Sequence, residues 1–157
     1  MEYGDASGTG LFDVRKRLWC DELIRFIDPT LHAKLPVVSS SREPVGLLRP
    51  ELRKRWRLEQ QIVISAGGGD NMMSAIGSGC LSPGKVTVSL GTSGTLFSYS
   101  PKPIIDPRGE IAAFCDSTDG WLPLLCTMNA TVVTEATRGL LGWQHSDMES
   151  AIAAVLP

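Results

Sequence analysis

The segment that most constrains this chain is Ile62-Val63-Ile64-Ser65-Ala66, which runs directly into Gly67-Gly68-Gly69-Asp70-Asn71. A continuous β-branched run predicts a strand buried on both faces. Three glycines then allow a sharp turn and leave room for a ligand or a second domain. Asn71 to Cys80, rich in Met, Ala, Ile and Gly, predicts a short, closely packing helix. Asp70 would stand where that helix begins, a place at which peptide dipoles favour negative charge. A carboxylate at the carboxyl end of a strand can accept a proton from an alcohol. It can equally be no more than a helix N-cap, and the local sequence leaves both readings open.

A second element carries similar ambiguity. Lys85 to Leu90 alternates through Val86, Val88 and Leu90, and Gly91-Thr92-Ser93-Gly94 separates it from a second strand, Thr95 to Tyr99. This predicts a hairpin. A turn of glycines and hydroxyls presents several backbone N–H groups together with the Thr92 and Ser93 hydroxyls, which suits phosphate oxygens. An ordinary hairpin turn has the same sequence.

Other signals fail on inspection. Gly79 to Lys85 has the GxxxxGK spacing of a P-loop, but Val86 stands where a magnesium-binding hydroxyl belongs, and the strand and helix come in the wrong order. Gly91 to Gly94 lacks the spacing of a serine-nucleophile elbow, and His32 and His145 offer no argued base. Cys20, Cys80, Cys115 and Cys126 contain no CxxC pair, which argues against structural zinc and for reduced thiols. With 15 basic and 17 acidic residues and a net charge of −2, nothing favours nucleic acid or an anionic membrane. The basic cluster Arg53-Lys54-Arg55 with Arg57 reads as a solvated helix face. No apolar run is long enough for a membrane span, and no export signal is visible, so the cytoplasm is expected.

Around these elements the sequence predicts a small hairpin (Thr9 to Asp13, with Leu18-Trp19) and a helix over Asp21 to Ile27 with Leu23, Phe26 and Ile27 on one face. Residues 36 to 50 read as a loop region, and Pro50 opens a helix through Trp56. Strands are expected at Ile111 to Phe114 and Trp121 to Leu125. A helix capped by Asn129 should run to about Leu141, with Val132, Val133, Ala136 and Leu140 inward and Gly139 or Gly142 near its end. Ser146-Asp147-Met148-Glu149 reads as a capping box opening a last helix, Ala151 to Leu156. The turn-rich Gly4 to Gly8 after Met1, and an apolar helix reaching Pro157, give the expectation of a piece cut from mid-structure at both ends.

Taken together, AGGGDN followed some twenty residues later by VSLGTSGTLF resembles the FGGY family of carbohydrate kinases, within the actin and hexokinase-like superfamily. DASGTGLFD near the start and FCDSTDGWLPLLCTMNAT near the end look like its xylulokinase branch, so the resemblance covers essentially the whole chain, in order. It implies an α/β, actin/hexokinase-like (ribonuclease H-like) fold with parts of two domains, both truncated. Residues 1–80 would close the sugar-binding domain and 81–157 would open the ATP-binding one, on the two sides of a cleft. By the same resemblance Asp70 would be the general base toward a hydroxyl of D-xylulose, and Asn71 would help hold the sugar. Gly91, Thr92 and Ser93 would contact the β- and γ-phosphates of ATP. Mg2+ would be required, but its main organising aspartate would lie upstream. The partners implied are a small sugar and ATP, with a homodimer possible in the full-length enzyme, and the piece alone would be inactive. Another FGGY kinase for a related ketose or polyol, or a noncatalytic actin-like nucleotide-binding fragment, stays open as an alternative.

Overall fold

Residues 1–155 are described by a computed structural model. The chain divides into two compact units, residues 1–87 with 97–124 and residues 88–96 with the chain from 125 onward.

In the first unit, helix α1 (Tyr3–Ser7) leads into the two short antiparallel strands β1 (Phe12–Asp13) and β2 (Leu18–Trp19), paired Phe12 to Trp19 and Asp13 to Leu18. The hairpin is as expected, but Gly4 to Ser7 is helical rather than a connecting turn, with Gly8 as the C-cap. The cause is Glu2, whose side chain accepts the amides of Gly4 and Asp5 and so caps the helix. Helix α2 (Asp21–Ile27) follows the expected range, but its buried residue is Ile24. Leu23, Phe26 and Ile27 are exposed, because only the Ile24 side is covered by the rest of this unit.

Residues 36–50 are not all loop. Strand β3 (Pro44–Leu47) pairs antiparallel with β4 (Val63–Ser65), with a register shift between Pro44 and Gly46. Pro44 at a strand start is tolerated because no ladder amide is needed there. Helix α3 (Pro50–Arg55) begins at Pro50 and carries its basic residues in the last turn, where they face the negative end of the helix dipole. β4 is exposed along its whole length, contrary to the expected burial on two faces. Its β-branched residues satisfy a two-stranded ribbon whose faces nothing among the described residues covers.

Helix α4 (Asp70–Gly77) packs Met72 and Ala75 into a core completed by Cys80, Phe97, Leu122 and Leu124, with Phe114 against it. A second cluster joins Ala6, Phe12, Val14 and Cys115, with Tyr3, Trp19 and Trp121 on its margin. Phe12 meets Trp19 edge to face at 5.7 Å, and the Arg17 guanidinium lies 4.6 Å above the Trp121 ring. The 111–125 region forms isolated bridges, Ala112 to Leu124, Cys115 to Trp121 and Ser100 to Trp121, before strand β7 (Leu124–Thr127). Pro123 has no amide to give a ladder, and the Asp116 carboxylate takes over the intervening turn through the amides of Thr118 and Gly120.

Strands β5 (Val86–Leu90) and β6 (Gly94–Ser98) form the expected hairpin and, with β7, a three-stranded sheet in the order β5-β6-β7. Their residues 88–90, 94–96 and 125–127 belong to the second unit. There, helix α5 (Thr131–Leu141) ends at Gly142, which adopts the left-handed conformation that glycine accommodates without strain. Ala130, not Asn129, occupies the N-cap position. Val132, Val133 and Leu140 are exposed, not inward. Helix α6 (His145–Val155) begins earlier than expected. The Asp147 carboxylate accepts the Gln144 amide at 2.8 Å, so the reciprocal cap sits two residues before Ser146. The expected end at Leu156 lies outside the described residues.

Candidate functional site

The sequence-predicted residues fall in both units. Asp70 and Asn71 lie in the first; Gly91, Thr92 and Ser93 lie in the second.

Asp70 is the first residue of α4, and Gly69 occupies the N-cap position without any side-chain bond. The Asp70 carboxylate reaches no amide deeper in the helix than that of Asn71. Its Oδ1 accepts the Asn71 amide at 2.7 Å and the Asn71 side-chain Nδ2 at 3.2 Å. Oδ2 has no hydrogen-bond partner among the described residues, and the side chain is exposed. One oxygen is thus tethered and the other is free to meet an incoming hydroxyl.

The glycines before Asp70 are required by space and by conformation. Gly67 has φ +88°, a left-handed value that L side chains resist. A Cβ on Gly68 would collide with the Met73 side chain and lie 2.9 Å from Ser117 Oγ. A Cβ on Gly69 would lie 2.9 Å from Met72 Sδ and 3.2 Å from Asp5 Oδ1. Ser117 Oγ is buried there without a hydrogen-bond partner. Gly69 also donates its amide to Glu2 Oε1 at 3.2 Å.

In the second unit, the β5–β6 turn is seated on the start of α5. The Gly91 carbonyl accepts from the Thr131 amide at 3.0 Å and from Thr131 Oγ1 at 2.7 Å, while the Thr92 carbonyl accepts the Ala130 amide at 2.9 Å. The Gly91 amide closes the turn onto the Ser93 carbonyl. These bonds satisfy the leading amides of α5, so no Asn129 cap is needed. They also turn the carbonyls of the loop inward. The amides and hydroxyls of Thr92 and Ser93 are left without partners among the described residues. Gly94 allows the close seat, since a Cβ there would lie 3.0 Å from Thr127 Cγ2 and 3.4 Å from Ala130 Cβ.

Sequence reasoning missed three supporting residues, Glu2, Ser117 and Thr131. Thr131 was within reach of it, as a hydroxyl beside the Asn129 position; nothing in the sequence ties residues 2 and 117 to the glycine turn. Among the described residues no group of three or more His, Cys, Asp and Glu side chains could hold a metal ion. No helix among the described residues is long and apolar enough to cross a membrane.

Comparison with known proteins bears directly on this arrangement. Residues 1–77 match the model of the FGGY family of carbohydrate kinases, N-terminal domain. Over 150 residues the chain is 43% identical to a xylulose kinase of Haemophilus influenzae, a match covering 94% of this chain and 30% of that protein. The chain belongs to the FGGY family of carbohydrate kinases. A crystal structure of a xyloylose kinase from Brucella ovis superposes with a TM-score of 0.87 at 29% identity, covering 99% of this chain and 32% of that one. The xylulose kinase of Bifidobacterium adolescentis gives 0.81 at 29% identity, over 100% of this chain and 33% of that one. The fold is accordingly α/β and actin/hexokinase-like, as expected. The chain spans about a third of the length of these FGGY relatives.

Proposed function

We propose that this chain is the section of an ATP-dependent sugar kinase that supplies the general base and one phosphate-holding turn, with D-xylulose as the acceptor. Asp70 Oδ2 takes the proton of a sugar hydroxyl as that oxygen attacks the γ-phosphorus. The bond from the γ-phosphorus to the bridging oxygen breaks, and ADP leaves. Asn71 holds Asp70 through its amide nitrogen and has its side-chain oxygen left for a sugar hydroxyl. The free amides and hydroxyls of Thr92 and Ser93, with Gly91 shaping the turn, hold the β- and γ-phosphate oxygens. Phosphoryl transfer depends mainly on positioning and charge neutralisation, so a base and a rigid phosphate cradle suit it. The enzyme works in the cytoplasm on two small molecules, and its full-length form can pair as a homodimer. Mg2+ bound with ATP would offset phosphate charge, on ligands other than those of this chain.

The observation that carries this reading is the Asp70 carboxylate, exposed at the start of α4 with one oxygen pinned by Asn71 and the other unpartnered among the described residues. A nucleotide-binding fragment without catalysis needs no such group. The similarity to xylulose kinases favours xylulose over a related ketose or polyol. Asp70→Asn in the full-length protein tests the assignment. A general base contributes about 10²- to 10⁴-fold, so turnover should fall by that factor while calorimetric binding of xylulose and ATP persists. Unchanged turnover would refute it.

A further inference from the structure

We propose that Glu2 is a positioning residue for Asp70, fixing through the Gly69 amide the direction in which the catalytic carboxylate leaves the backbone. The proposal rests on the reading of Asp70 as general base. Glu2 is 1% exposed, and no cation pairs with it among the described residues. A buried carboxylate in that situation is tolerated only if its lone pairs meet donors. They do. Oε2 accepts the Gly4 amide at 2.7 Å and Ser41 Oγ at 2.9 Å; Oε1 accepts the Asp5 amide at 2.6 Å and the Gly69 amide at 3.2 Å.

A glutamate serving only as a cap for α1 would account for the Gly4 and Asp5 bonds. It would not account for Ser41 and Gly69, which lie 39 and 67 residues away in sequence. On the α1 side the fit is close: a Cβ on Gly4 would lie 2.8 Å from Glu2 Oε1. Gly69 is joined to Asp70 by one peptide plane. Its own amide lies in the preceding plane, between Gly68 and Gly69; anchoring it fixes the backbone at the entry to α4, and the Gly69 carbonyl, which accepts the Met73 amide at 2.9 Å, holds the plane that carries on to Asp70.

The test uses the full-length enzyme. In Glu2→Ala both carboxylate oxygens are removed and the Gly69 amide loses its anchor, whereas a glutamine could turn its nitrogen toward Gly4 and Ser41 and keep the Gly69 bond. Misplacing a reacting group by about 1 Å can cost about 100-fold. The expected result is a kcat lowered about 10- to 100-fold, with KM for ATP unchanged within about twofold. Ser41→Ala removes a donor not tied to Gly69 and should leave kcat within about twofold. Should Glu2→Ala fail to fold, Glu2→Asp gives the same reading, since it keeps the charge but withdraws it from Gly69. A kcat within about twofold of the parent in the folded Glu2 variant, or an equal loss in Ser41→Ala, overturns the proposal while Asp70→Asn stays inactive. Full turnover in Asp70→Asn instead removes the base assignment, and this proposal with it.

Discussion

Individual side chains in this chain have environments that differ enough to be read by simple chemistry. All four cysteines are free; Cys80 and Cys115 are buried, Cys20 is half-buried and Cys126 is exposed. Burial pushes the Cys115 thiol up, against the lowering influence of Ser7 and Arg17. A thiol reagent at neutral pH should therefore modify Cys126 first and reach Cys80 and Cys115 only on unfolding, as mass spectrometry of timed samples can determine. Asp106 behaves in the opposite sense. The amides of Arg108 and Ile111, and then that of Glu110, hold its carboxyl below the ordinary range. A carboxyl whose folded pKa is depressed stabilises the fold above its ordinary pKa, and that contribution is lost as pH falls through the lower folded value. The 106–111 turn should accordingly loosen below about pH 4, seen as movement of the Glu110 amide resonance, and Asp106→Asn should abolish that titration. Asp70 was visible in the sequence because a strand, three glycines and an acid stand in one short string. Glu2 was not, since the bond that matters spans 67 residues and leaves no local pattern.

Elements were readable wherever their signal was local. Pro50 at the start of α3, the alternation of β5 and β6, and Gly142 after α5 all lie where chain chemistry puts them. Misplaced boundaries share one cause: a cap can be replaced by a group from elsewhere. The start of α5 illustrates it, because the Gly91 and Thr92 carbonyls do the work expected of Asn129. This seat makes a prediction. Thr131→Val keeps the side-chain shape but removes the 2.7 Å bond to the Gly91 carbonyl. A hydrogen bond of this kind is worth about 1 kcal/mol, so the full-length protein should lose about that much stability in denaturant titration. Because the same bond holds the Thr92 and Ser93 amides in place, KM for ATP should rise several-fold while KM for xylulose stays level. An equal rise in both would mean that the turn does not hold phosphate.

Apolar surface is the property that no single element explains. Phe26 is 88% exposed, Leu140 87% and Leu90 73%, and Val63, Val86 and Val88 stand on strand faces with nothing over them. Soluble monomers rarely expose contiguous apolar patches beyond a few hundred Å². The β-branched run at β4 and the apolar residues of α5 were expected to be buried and are exposed among the described residues, because periodicity shows which face is apolar and not whether anything covers it. The FGGY relatives are about three times as long, and the chain aligns with only 30% of the Haemophilus protein. Two consequences follow for the 157-residue chain produced alone. It should bind a fluorescent apolar dye and self-associate, because exposed faces of β4, β5 and α5 offer partners to one another. It should also show no ATP-dependent phosphorylation of xylulose, since on the proposed reading Asp70 and the Thr92 turn are one base and part of a phosphate cradle in a chain that covers only 30% of its Haemophilus relative. Measurable turnover by this chain would mean that positioning by these two elements suffices, and the division of labour argued above would be wrong.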